Sequence, residues 1–179
     1  MLRTRTATAA VCLLTFTGLS VASAAADGPT APLTVTPPAA AHGDDPSHGG
    51  PVYAYVTNQD GDTVSVIDLR TDAVTATIPV GAWPTDVVLT PMDDRAYVTN
   101  LNSDDVSVID TRTDAVTATI PVGLWPRDVA FTPEGDRAYV ANQDSDTVSV
   151  IDTKTETVTS TIPVGSDPMG LAITRAPSR

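Results

Sequence analysis

The sequence predicts an all-β fold of repeated four-stranded units, and three observations carry the prediction. One segment recurs at a step of 42 residues. Tyr55, Tyr97 and Tyr139 open the copies as YVTN, YVTN and YVAN, and VIDLRTDAVTATIPVG, VIDTRTDAVTATIPVG and VIDTKTETVTSTIPVG follow in phase. Within each copy, clusters of Pro, Gly, Asn and Asp separate four short runs rich in Val, Ile, Thr and Tyr, the composition of strands bounded by turns. One run per copy is continuously apolar and another carries a proline, which suits a buried strand at one side of a sheet and an edge strand at the other. A period of about 40 to 45 residues is that of a propeller blade.

The second copy shows the elements in order. Asp86 to Thr90 is the continuously apolar run (Val87-Val88-Leu89), as are Val129-Ala130-Phe131 and Leu171-Ala172-Ile173 in the neighbouring copies, and it is placed innermost. Arg95 to Thr99 and Asp105 to Asp110 follow. Ala115 to Val122 alternates Val116, Ala118 and Ile120 against Thr117 and Thr119, and its Pro121, like Pro79 and Pro163, puts it at the rim. One axial strand and one proline-bearing rim strand define a propeller blade rather than a sandwich or a helical solenoid.

The repeated YVTN, VSVID and TIPVG segments resemble the YVTN family of propeller repeats over about residues 52–175. The resemblance implies a seven-bladed ring in full-length members, an extracytoplasmic setting, and surface-layer or binding roles more often than catalysis. The chain departs from the pattern at Trp83-Pro84-Thr85-Asp86 and Trp125-Pro126-Arg127-Asp128, where only Asp167-Pro168-Met169-Gly170 is ordinary. Three copies also fall below the roughly four to eight blades that close a ring.

The expected organisation is a signal peptide at 1–26, a Pro/Gly-rich linker at 27–50, repeats at 51–175 (51–83, 84–125, 126–167 and a closing strand at 168–175), and a tail at 176–179. Arg3 and Arg5, the apolar stretch Ala9 to Leu19 and the small residues at 22–26 read as an export signal, so the protein is expected to be secreted or in the cell envelope. Cys12, the sole cysteine, falls inside it. Removing the two arginines leaves eight basic against 22 acidic residues, a net of −14, which disfavours nucleic acid. No stretch is long and apolar enough to span a membrane. In the linker, His42, Asp44, Asp45 and His48 could hold a metal only weakly, with nothing to pre-organise them.

The repeats start at a second strand (Val52 to Thr57) and finish at a first strand (Gly170 to Thr174). That phase predicts a terminal strand completing the first blade, with two chains assembling one ring. A truncated relative of a longer propeller is the rival reading.

Residues 51–175 contain no histidine or cysteine, so nucleophilic triads and imidazole or thiolate metal sites have no members there. The expectation is therefore a non-enzyme without a cofactor, a binding or scaffold module at the cell surface. A remnant of a propeller enzyme or cofactor-dependent oxidoreductase, and a purely structural surface-layer repeat, are the alternatives. One face is expected to gather Asn58, Asn100 and Asn142 with Trp83, Trp125, Asp86 and Asp128, where indoles could stack on a cell-wall glycan or a protein and carboxylates could accept hydrogen bonds. Asp60, Asp62, Asp144 and Asp146 are weak calcium candidates, lacking the glutamate of an EF-hand loop; turn chemistry explains them without any ion and is the favoured reading.

Overall fold

Runs of β-branched residues closed by turns do form sheets. In the computed structural model, which describes residues 50–175, eleven strands and one 3-10 turn (Gln59–Gly61) make up three antiparallel sheets. The first holds β1 (Tyr53–Asn58), β2 (Thr63–Asp68) and β3 (Ala73–Pro79). The second holds β4 (Pro84–Leu89), β5 (Arg95–Asn100), β6 (Asp105–Asp110) and β7 (Ala115–Pro121). The third holds β8 (Pro126–Phe131), β9 (Arg137–Asn142), β10 (Thr147–Asp152) and β11 (Thr157–Pro163). Strand order follows the chain in each sheet, as in propeller blades. The inner strands β4 and β8 pack on each other and β1 packs on β4, while the rim strands β3, β7 and β11 barely meet. The blades therefore splay outward from a common side. The expected signal peptide, the tail and all but residue 50 of the linker lie outside the described residues. Among the described residues no helix is long and apolar enough to cross a membrane.

One element differs from expectation. Residues 170–174 form no strand and do not reach β1 of their own chain; they lie beyond the third sheet, where Leu171 N donates to Asp128 Oδ2. The first sheet consequently keeps three strands.

Each core lies between blades and repeats the same residue set. Between the first and second sheets, Tyr55, Val64, Val66 and Ile78 meet Val87, Ala96, Val98 and Ile109. Between the second and third, Tyr97, Val106, Val108 and Ile120 meet Val129, Ala138, Val140 and Ile151. The middle blade supplies both faces, which is why β6 is buried at four consecutive positions whereas β2 alternates. Ile109 is fully buried, so Ile109→Ala is expected to cost about 3 kcal/mol, read as a lowered urea midpoint at unchanged slope.

Left-handed turns set the phase of the repeat. Positive φ falls at 62, 104 and 146, at 72, 114 and 156, at 83, 125 and 167, and at 93 and 135. Most of these residues are Asp, which tolerates that region because its short side chain bonds locally. Trp83 and Trp125 do not have that advantage. They adopt φ of 56° and 54° because both ends are held: Asp62 Oδ1 accepts from Trp83 N at 2.9 Å, and Trp83 O accepts from Leu101 N at 2.9 Å. Asp104 and Gln143 hold Trp125 in the same way.

Candidate functional site

A proline at the first position of β4 and β8 has no N–H for the ladder, and pairing skips one residue after it: Pro84 and Asp86 face Asn100 and Thr99, and Pro126 and Asp128 face Asn142 and Ala141. These irregularities place Asp86 and Asp128 at equivalent points on adjacent inner strands. Asp86 Oδ1 accepts from Val87 N at 2.9 Å, and its Oδ2 accepts from Val129 N of the next blade at 3.2 Å. Asp128 repeats the link with Leu171 N. Each carboxylate thus staples one blade to the next. Burial, with the Asp128 carboxyl hydrogen-bonded beside it, pushes the Asp86 carboxyl above the usual carboxylate range, against the pull of its two backbone donors. Both carboxyls lie half-buried on inner strands, a setting in which a carboxyl can act as an acid or a base.

The loops on this end are joined as the sequence implies. Ser103 Oγ accepts from Ala82 N at 3.0 Å and Ser145 Oγ from Leu124 N at 2.9 Å, so each inter-blade connection lies against the hairpin loop of the following blade. Trp83 and Trp125 are 44% and 45% exposed there, with Leu124 beside them at 47%. Beneath Trp83, Thr85 Oγ1 donates to Pro126 O at 3.1 Å and exchanges a 2.9 Å hydrogen bond with Thr99 Oγ1, tying the second and third blades together. Sequence reasoning missed Thr85, and its signal was weak, since Arg127 and Met169 occupy the same place in the other copies.

The three asparagines are structural. Asn100 and Asn142 are fully buried, and Asn58 is half-buried. Asn100 Nδ2 donates to Asp105 Oδ1 at 2.7 Å and to Ser107 Oγ at 2.9 Å; Asn142 Nδ2 donates to Thr147 Oγ1 at 3.1 Å and Ser149 Oγ at 2.9 Å; Asn58 Nδ2 bonds Thr63 and Ser65 in the same manner. Each amide pins a hairpin from inside, so Asn100 and Asn142 do not stand on a ligand face. Burial pushes the Asp105 carboxyl up, with Asn100 and Ser103 pulling it back.

Asp62 and Asp146 accept from the backbone of Trp83 and Asp167, while Asp60 and Asp144 point outward. Among the described residues no three His, Cys, Asp or Glu side chains converge to hold an ion.

The opposite end is built for turns. Asp68, Asp110 and Asp152 each accept from the N–H two residues on, at 2.8 to 3.0 Å. The Arg70 side chain holds the Asp68 carboxyl down, and at Asp110 backbone donors at Arg112 and Thr113 overcome a burial effect that would raise it. A cleft of about 180 Å³ between Pro91 and Gly135 includes Arg95, whose guanidinium is already matched by Glu156 Oε1 at 2.7 Å.

Three antiparallel sheets of three, four and four strands in chain order, with Asp86 and Asp128 on the inner strands of the second and third, define a β-propeller protein. Residues 53–164 match the family described as lactonase, 7-bladed beta-propeller, and the chain belongs to that family. Similar solved structures include the hydrazine synthase of Kuenenia stuttgartiensis (31% identity, TM-score 0.64, covering 66% of this chain and 34% of that one). They also include a dihydro-heme d1 dehydrogenase (19%, TM-score 0.57, covering 62% and 24%) and a protein from Bacteroides fragilis described as a candidate 6-phosphogluconolactonase (23%, TM-score 0.56, covering 66% and 37%). The chain spans between 24% and 37% of the length of these structures, and the latter two speak for the fold alone. A search of curated proteins finds no match.

Family membership overturns the expectation of a non-catalytic scaffold and of a non-enzyme. Missing imidazole and thiol leave carboxylates as the titratable groups for acid–base work, and most aspartates of the repeats lie in turns, which is why the sequence pointed away from catalysis.

Proposed function

We propose that the protein is a lactone hydrolase built on YVTN-type repeats, using the Asp86–Asp128 pair as its acid–base group. The observation that carries this is a carboxyl raised by burial and by a second carboxyl, on the inner strands of a lactonase-family propeller. Water adds to the lactone carbonyl and gives a proton to the pair; the ring C–O bond breaks, and its oxygen takes that proton back. The exposed indoles of Trp83 and Trp125 on the same end offer flat apolar faces for a sugar-like ring. An oxidoreductase reading has less support, because residues 50–175 contain no histidine or cysteine to ligate a haem. Export, argued from residues 1–26, belongs to this proposal.

The test is a pH-stat assay of the full chain with five- and six-membered lactones, sugar lactones included. Proton release above the spontaneous rate is expected. Rates equal to buffer for every lactone would sink the reading.

A further inference from the structure

The end of the fold that carries Trp83 and Trp125 is the acidic one, and no cation of its own neutralises it. Among residues 50–175 it sets nine aspartates against Arg127 alone, a net of −8; the opposite end sets ten acidic residues against six basic ones, a net of −4. Every ion pair among the described residues, that of Arg95 with Glu156 included, lies at the opposite end. At the acidic end Arg127 Nε donates to the neutral Gln143 Oε1 at 2.5 Å. Asp62, Asp104 and Asp146 each give one oxygen to a backbone N–H, which fixes the carboxylate and leaves its charge in place. The indoles stand among these carboxylates, nearly half exposed, with Leu124 between them in the chain. Each lies at a junction whose two blades are both present, so its exposure does not depend on chain outside residues 50–175. Their backbone suits a smaller residue: both have positive φ, and Asp167 takes that conformation at the same step of the third copy. An aromatic side chain neither buried nor matched to its backbone adds little to folding.

We propose that this end is the docking surface for an extended, arginine-bearing segment of a partner protein. A guanidinium plane stacks on an exposed indole and forks to a carboxylate beside it, so one side chain uses both features of the surface. The indoles recur one blade apart, and an occupant that engages both must bridge two blades, which a chain with spaced arginines does and a single small cation does not. Unneutralised acidic charge draws such a segment in and turns anionic ones away. The inference goes beyond the acid–base reading of Asp86 and Asp128 and stands whether or not lactones are substrates.

The test is fluorescence anisotropy of a labelled Gly/Ser peptide carrying several arginines, titrated with the full chain. Binding is expected, weakening as salt is raised and falling about tenfold or more when citrulline, the uncharged analogue of the same shape, replaces arginine. Trp83→Asn and Trp125→Asn are each expected to lower affinity about two- to fivefold while leaving the urea midpoint unchanged or raised, because asparagine tolerates the left-handed backbone. No binding, or equal binding of the citrulline peptide, overturns the proposal. So do asparagine variants that bind as the parent chain does, and a midpoint that falls in both variants, which would assign the indoles to packing. Arginine amide alone binding as tightly as the peptide would make the occupant a small cation and overturn the protein partner.

Discussion

Replacing Asp128 by asparagine is expected to lower lactone hydrolysis by about a hundredfold or more while leaving the blades assembled. The substitution separates two roles of one side chain. As a staple, Asp128 needs only one oxygen to accept from Leu171 N, and the amide oxygen of asparagine can do that. As half of an acid–base pair it must gain and lose a proton, which an amide cannot. Asp86 is the less discriminating position, since its two oxygens serve Val87 N and Val129 N separately and asparagine would lose one acceptor. The pair also fixes the pH profile. With the Asp86 carboxyl raised by burial, lactone hydrolysis that depends on its proton should fall as that proton leaves above the usual carboxylate range. The measurement is kcat/KM against pH for both variants with the circular dichroism spectrum as the fold control. An Asp128→Asn chain with full activity would assign both carboxylates to stapling alone.

Much of the fold was legible because each strand carries its own local signature. Alternating Val and Thr, prolines at 79, 121 and 163, and Asp-bearing turns all act within a few residues, and observed strands begin or end within about two residues of the expected ones. The site was legible only in part, because its bonds run between blades. Nothing near Asp86 in sequence announces Val129, 43 residues away, as its partner. Asn100 and Asn142 misled for the opposite reason: an amide at the end of a strand looks like a surface loop residue until a glycine from the preceding blade is laid over it. Trp83 and Trp125 carry no sign of left-handed backbone either, since aromatic side chains are not selected for it; only the hydrogen bonds at both ends of each residue account for the conformation.

Gly123→Ala is expected to be among the most damaging small substitutions, costing about 3 to 5 kcal/mol in urea unfolding. A methyl there would lie 2.7 Å from Asn142 Cγ and Nδ2, well inside contact distance. Asn142 cannot retreat cheaply. It is fully buried, its Nδ2 holds Thr147 and Ser149, and its Oδ1 already lacks a partner, so displacement breaks two hydrogen bonds in a place water cannot repair. Gly81 stands in the same relation to Asn100 and should respond alike. Gly165, the third member of the series, has nothing within 4 Å among the described residues. Gly165→Ala should therefore shift unfolding by less than about 0.5 kcal/mol, so the urea midpoints of Gly123→Ala and Gly165→Ala, measured side by side, isolate the cost of displacing Asn142; equal midpoints would show that Asn142 yields to the methyl.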